Sequence, residues 1–219
     1  MINKFLIRGD KSVSKIKICG LKSIKDIEIV NKFIPDYIGF VFAPSKRQIN
    51  LENAKQLKSL LNPSIKTVGV FVNEHIEKIL QYEQQGIIDI VQLHGDEDLV
   101  YIKALKKASD LPIVKAFRLK DTESLQRQHH LIENAELDGV LLDAYHPRSY
   151  GGSGKQFDWH ILDQIQRQYF LAGGIGLDNV KEALTYKPFA IDVSSKVETN
   201  GNKDEEKIRT LISIVRKML

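Results

Sequence analysis

The sequence predicts a closed (β/α)8 barrel, and three of its features do so. Short β-type runs recur roughly every 20 to 30 residues, each followed by turn residues and then a stretch with helical apolar spacing. Several runs are apolar on both faces, as in Tyr37-Ile38-Gly39-Phe40-Val41-Phe42. A parallel strand covered on both sides requires this, whereas a one-sided antiparallel strand alternates. Eight such units in 219 residues match the compact end of the barrel's size range, while an open doubly wound sheet usually has fewer strands.

In chain order the expected strands are Ile16 to Cys19, Tyr37 to Phe42, Thr67 to Val72, Asp89 to Leu93, Ile113 to Phe117, Gly139 to Leu142, Phe170 to Ala172 and Ala190 to Val193. Between them, Leu51, Ala54, Leu57, Leu60 and Leu61 form one helical stripe, and Ile208, Leu211, Ile212, Val215 and Leu219 form another. Residues 1–14 precede the first strand and belong to no repeat, so they are read as an N-terminal extension, frayed or adding a short edge strand, with the barrel running over 15–219. The longest loop candidate, Ala144 to Phe157, contains Tyr150-Gly151-Gly152-Ser153-Gly154; long loops in compact domains tend to be functional.

Composition narrows the function classes. Hydrophobic side chains make up 42% and charged ones 27% of the chain, as in one globular domain with a substantial core. The net charge of +4 is spread without a long run of one sign, unlike a nucleic-acid footprint. One cysteine, Cys19, excludes an intrachain disulfide and offers no metal-binding pair, which fits a reducing compartment. No secretory signal or membrane-length apolar run is apparent, so a cytoplasmic protein is expected.

In a barrel the C-terminal ends of the strands make the active-site face. Polar residues there are Cys19, Asn73, His94, Asp143, and Asp192 with Ser194, all expected to project toward one mouth. Cys19, beside Gly20, is a candidate base if the thiol is partly open to solvent and near positive charge; the alternative is a small buried hydrophobe. Asp143 ends an apolar run, and burial would favour a protonated acid able to donate; the alternative is a helix cap or salt-bridge partner. Arg47, in Phe42-Ala43-Pro44-Ser45-Lys46-Arg47, is placed in a mobile loop where its guanidinium can pair with a substrate carboxylate, or simply be solvated. His94 would hydrogen-bond substrate or a backbone carbonyl, and no second His or Cys stands at metal-ligand spacing. His129 and His130 lie within a helix and read as surface.

Two glycine-rich segments follow late strands, Gly151-Gly152-Ser153-Gly154 and Gly173-Gly174-Ile175-Gly176, the latter before a helix beginning near Leu177. Such turns expose backbone N–H groups to a phosphate. Neither is an ATP or dinucleotide motif: Gly154-Lys155 is followed by Gln156, and position 179 is Asn where the fingerprint needs Gly. Phosphate sites of such barrels are built after the seventh and eighth strands, where Gly173, Gly174, Ser194 and Ser195 fall.

Taken together, Lys17-Ile18-Cys19-Gly20, Gly39-Phe40-Val41-Phe42-Ala43 with Ser45-Lys46-Arg47, Gly69-Val70-Phe71-Val72-Asn73, Val91-Gln92-Leu93-His94-Gly95, Leu142-Asp143, Gly151-Gly152-Ser153-Gly154, Ala172-Gly173-Gly174 and Asp192-Val193-Ser194-Ser195 resemble the phosphoribosylanthranilate isomerase family of tryptophan biosynthesis. The resemblance spans nearly all of the chain from Lys15. It implies an Amadori rearrangement of N-(5-phosphoribosyl)anthranilate to the 1-deoxyribulose aminoketose, with no redox change, cofactor or metal. It further implies Cys19 as base and Asp143 as acid, Arg47 on the anthranilate carboxylate, His94 and Asp192 as substrate contacts, and Gly152, Ser153, Gly154, Gly173, Gly174, Ser194 and Ser195 around the phosphate. One departure is visible. The family usually continues Ser-Ser-Gly-hydrophobic-Glu, and this chain has Lys196 at the glycine position; the lysine is either strained there or its ammonium assists the phosphate. The expected partner is a small phosphosugar, with no nucleic acid or membrane and with monomer or homodimer left open. Rival readings are the histidine-pathway aminoaldose isomerase, against which Cys19 argues because that enzyme uses two aspartates, and a non-catalytic phosphosugar binder.

Overall fold

The structure, a computed structural model, describes residues 14–134, 136–145 and 157–217. Eight parallel strands close into a barrel in chain order: β1 (Lys15–Cys19), β2 (Tyr37–Val41), β3 (Lys66–Phe71), β4 (Ile90–Leu93), β5 (Ile113–Leu119), β6 (Gly139–Ala144), β7 (Phe170–Leu171) and β8 (Ala190–Val193), with β8 pairing back onto β1. The expected runs are these strands, their ends slightly shifted. Helices α1 (Ile24–Phe33), α2 (Leu51–Leu60), α3 (Ile76–Gln84), α4 (Leu99–Ala108), α5 (Thr122–Ile132), α6 (Val180–Thr185) and α7 (Glu205–Lys217) connect them. The sixth unit has a 3-10 helix, Trp159–Gln164, in place of an α-helix, and after β8 a 3-10 turn (Ser195–Val197) and the hairpin β9 (Glu198–Thr199) and β10 (Asn202–Lys203) precede α7.

Local chemistry starts the helices where they start. Ser23 and Asp26 form a reciprocal capping box on α1, and the side chains of Asn50, Asp98 and Asp121 accept from backbone N–H groups of α2, α4 and α5. Each cap contributes about 1 kcal/mol. The helix expected near Leu177 begins at Val180 because Asn179 holds the preceding turn, accepting from Gly176 N–H and donating to the Gly174 carbonyl.

The apolar core is two concentric layers. One lies inside the barrel and includes Tyr37, Val68, Ile90, Val114, Leu141 and Phe170; the larger one lies between strands and helices. At the N-terminal end of the barrel, Phe170 packs edge-on to Tyr37 and Phe189, with centroids 5.6 and 5.3 Å away. Strand alternation sends Ile16 and Ile18 into the outer layer and turns Lys17 and Cys19 inward. On α7, Ile208, Leu211, Ile212 and Val215 are buried as expected; Leu219 lies outside the described residues. On α2 the stripe is narrower than expected: Ala54, Leu57 and Leu61 are buried, but Leu60, off the inward face at the helix end, is 47% exposed.

Of the expected N-terminal extension only Ser14 is described, and its hydroxyl donates to the Pro188 carbonyl at 2.7 Å. Among the described residues, no helix is long and apolar enough to cross a membrane.

Candidate active site

At the C-terminal mouth of the barrel a cavity of about 810 Å³ is lined by Cys19, Arg47, His94, Asp143, Asp192 and the glycine turn after β7, among others. Cys19, the last residue of β1, is partly exposed to it. Its neighbour across the sheet is Gly39, where a Cβ would lie 2.6 Å from the Cys19 sulfur; only glycine leaves room for the thiol in this position. The Cys19 carbonyl accepts from the Ser194 hydroxyl at 3.0 Å, which fastens β1 to the loop after β8.

Two residues before Cys19, on the same inward face, Lys17 donates from Nζ to Asp192 Oδ2 at 2.7 Å, both side chains buried. Burial works against the ammonium, but Asp192 and then Cys19 outweigh it and hold Lys17 above its ordinary value. Burial pushes the Cys19 thiol up, and the nearby Lys17 ammonium pulls it back down. Asp192 lines the cavity, and its Oδ1 is buried with no hydrogen-bond partner among the described residues.

Across the mouth, Asp143 near the end of β6 is buried. Its Oδ1 accepts from the Ala144 N–H at 2.8 Å, and its Oδ2 lies 3.2 Å from His94 Nε2. The other ring nitrogen, Nδ1, faces Gln92 Nε2 at 2.9 Å. The ring is thus held between the Gln92 amide on one nitrogen and the Asp143 carboxyl on the other. Gln92 is on β4 and His94 directly follows the strand, so one strand end delivers both side chains.

The rim is basic and braced. Arg47 donates from Nε and Nη2 to Glu198 Oε1 and Oε2 at 2.7 and 2.8 Å, and Lys203 donates from Nζ to Glu198 Oε1 at 2.8 Å. The guanidinium expected in a mobile loop is instead braced on β9 through its Nε and Nη2 edge, and Arg47 still lines the cavity. Burial lowers the Lys203 ammonium, Glu198 pulling the other way.

Gly173 and Gly174, both at positive φ, line the cavity with Ser194, Ser195 and Lys196. At Gly173 a Cβ would sit 2.6 Å from Ala144 N and 3.0 Å from Asp143 Oδ1, so the turn can lie against the acid only as glycine. Lys196 is not among the positive-φ residues, which removes the strain alternative; its Nζ lies 3.4 Å from Asp178. Gly152, Ser153 and Gly154 lie outside the described residues.

Asn73, expected at the mouth, does not line the cavity: its Oδ1 accepts from the Asp96 N–H and braces the loops after β3 and β4. His129 and His130 close the outer helix α5. Among the described residues no group of three His, Cys, Asp or Glu side chains could hold a metal ion. Sequence reasoning assigned no role to Lys17, Gln92, Glu198 or Lys203. For Lys17 and Gln92 a signal existed, since each stands two residues before a singled-out strand-end residue, and Glu198 is the glutamate that closes the Ser-Ser-Gly-hydrophobic-Glu pattern; for Lys203, on a hairpin after the last strand, there was none.

A closed eight-stranded barrel that gathers a thiol, a histidine-held carboxyl and a basic rim at its C-terminal mouth belongs to the class of (β/α)8-barrel enzymes. The model of the N-(5'-phosphoribosyl)anthranilate isomerase family matches residues 16–214. A protein of that name from Clostridium acetobutylicum is 47% identical over 208 residues, covering 93% of this chain and 98% of the relative. The solved phosphoribosylanthranilate isomerase of Thermotoga maritima superposes with a TM-score of 0.82 at 34% identity, covering 94% of this chain and all (100%) of that one. A further isomerase structure, with a TM-score of 0.78, 32% identity and 94% and 100% coverage, is a complex with reduced 1-(o-carboxyphenylamino)-1-deoxyribulose 5-phosphate. The chain belongs to the N-(5'-phosphoribosyl)anthranilate isomerase family, enzymes of tryptophan biosynthesis.

Proposed function

We propose that Cys19 and Asp143 carry out the Amadori rearrangement of N-(5-phosphoribosyl)anthranilate as base and acid. The observation that carries this reading is their joint presence in the lining of one cavity, with the Asp143 carboxyl held against the buried His94. Asp143 gives a proton to the furanose ring oxygen as the C1–O bond breaks, and the anthranilate nitrogen lone pair forms the iminium. Cys19 as thiolate then takes the proton from C2; the C–H electron pair moves toward the nitrogen and leaves an enolamine, which tautomerises to the ketone. Neither step changes oxidation state overall or calls for a cofactor.

His94 keeps Asp143 oriented through its Nε2. The remaining donors of Arg47 take the anthranilate carboxylate, and Asp192 Oδ1 accepts from a substrate hydroxyl or amine. Gly173, Gly174 and Ser195 hold the phosphate, together with Gly152, Ser153 and Gly154; Ser194 contributes chiefly by tying that loop to Cys19. Fixing the substrate at both ends keeps the reacting carbons between acid and base. We assign the protein to the cytoplasm, as a cofactor-free enzyme acting on a small phosphosugar.

The test supplies substrate made in situ from anthranilate and phosphoribosyl pyrophosphate and follows the loss of its fluorescence. Parent protein is expected to consume it rapidly, and Cys19→Ala and Asp143→Asn to be slower by about a thousandfold. Parent turnover no faster than the uncatalysed background, or variants at the parental rate, would sink the assignment.

A further inference from the structure

Lys17 is a buried ion that the acid–base steps above do not use. Its side chain is 0% exposed, and it is not among the residues lining the cavity, so it does not touch substrate. Nor does packing explain it, because an apolar side chain of similar length would fill the barrel interior without the desolvation of an ammonium. What distinguishes its position is the alternation of β1: Lys17 and Cys19 stand two residues apart and face the same interior side.

An ammonium has three donors, and one of them is spent on Asp192 Oδ2 at 2.7 Å. That contact anchors the long side chain upright in the barrel. Standing on the inward face of β1 two residues from Cys19, the anchored ammonium is the cation directly beneath the thiol along the strand. The other charged groups facing the thiol are Asp192 from β8, Lys203 from β10 and Arg47 from the loop after β2. Lys203 and Arg47 are both bound to Glu198, which leaves Lys17 as the cation that shares a strand and a facing direction with the sulfur.

We infer that Lys17 is the positioning residue for the base: anchored by Asp192, its ammonium lies under Cys19 and holds the negative charge left on sulfur when the thiol proton departs. Lys17 keeps its own proton throughout. The thiol proton goes to water before the reaction, and the thiolate then takes the proton from the substrate carbon. Asp192 both fixes the ammonium and, as a like charge to the thiolate, moderates it. The catalytic part of this inference rests on Cys19 being the base; the hold of Lys17 on the thiol does not.

Because Cys19 is the one cysteine in the chain, its ionisation can be read directly in the intact protein from the rate of iodoacetamide alkylation against pH, followed by mass. Lys17→Met is expected to raise the alkylation midpoint by about one to three pH units, the effect of losing an opposite charge a few ångströms away. Lys17→Arg should stay near the parent, and Asp192→Asn should lower the midpoint. Opposite signs from the two ends of one ion pair are what a merely structural role would not produce. In turnover, Lys17→Met should lose about 10- to 100-fold in kcat at neutral pH with little change in KM, and regain it as pH rises past the new midpoint.

A folded Lys17→Met protein with the parental alkylation midpoint overturns the inference. Should that variant not fold, Asp192→Asn decides: a lowered midpoint supports the inference and an unchanged or raised one overturns it. If the alkylation midpoints move as expected while the pH profile of turnover stays put, the catalytic role of Lys17 falls together with the reading of Cys19 as base.

Discussion

Replacing Glu198 with glutamine removes the negative charge on which two cations of the cavity rim converge. The Glu198 side chain is 9% exposed and accepts from Arg47 at 2.7 and 2.8 Å and from Lys203 at 2.8 Å. Burial pushes this carboxyl up, but the hydrogen bonds and charges of Arg47 and Lys203 outweigh it and hold it at about 2, against an ordinary 4.5. At 1.36 kcal/mol per tenfold change, that difference corresponds to about 3 kcal/mol, and to about 2 kcal/mol once water reaching the Arg47 side is allowed for. A carboxyl lowered in the folded state stabilises it above the unfolded value and ceases to as pH falls through the folded one. The contribution is therefore complete above about pH 5 and disappears between 4.5 and 2. For a chain of this size, Glu198→Gln should lower the thermal midpoint near neutral pH by about 4 to 8 °C, with the gap to the parent narrowing through the acid range. The assay is a series of thermal melts from neutral pH downward. Equal midpoints at neutral pH, or a gap that stays constant into acid, would refute the reasoning.

Three further outcomes are expected. Gly173→Ala puts a Cβ 2.6 Å from Ala144 N at a position with φ of +88°, so urea unfolding should find it destabilised by about 2 to 4 kcal/mol, with turnover reduced because Asp143 must shift; parental stability would contradict the close approach. His94→Phe strips the ring nitrogen from Asp143 Oδ2 and should cost about 100-fold in kcat with a smaller effect on KM, so steady-state kinetics showing the reverse split would make His94 a binding residue instead. Lys196→Ala should raise KM for the phosphosugar by up to about fivefold at low salt and less at high salt, as an exposed ion contact of about 0.2 to 1 kcal/mol does; a KM independent of both changes would leave Lys196 on Asp178 alone.

Much of the architecture was legible in the amino-acid order because its signals are local. Two-sided apolar runs such as Tyr37 to Val41 can be strands only of a covered parallel sheet, and the 3.6-residue spacing of Ile208, Leu211, Ile212 and Val215 marks a helix whatever surrounds it. The same local rule put Cys19, His94, Asp143 and Asp192 at strand ends and so at one mouth. Where a neighbour distant in sequence intervenes, the local rule fails. Asn73 stands at a strand end, yet it turns to the Asp96 backbone, and Leu60 fits the stripe but projects to solvent.

What the sequence by itself determined, then, is which side chains arrive at the mouth: strand period and strand length suffice for that. What each of them meets there was decided by closure of the barrel. Lys17 and Asp192 are 175 residues apart and become partners because β8 pairs with β1; His94 and Asp143 are 49 apart, and Arg47 and Glu198 151 apart. No periodicity carries information over such separations. The register of the closed sheet does, and it pairs a buried lysine with an aspartate, sets a histidine against a buried carboxyl, and braces beside the cavity an arginine expected in a mobile loop.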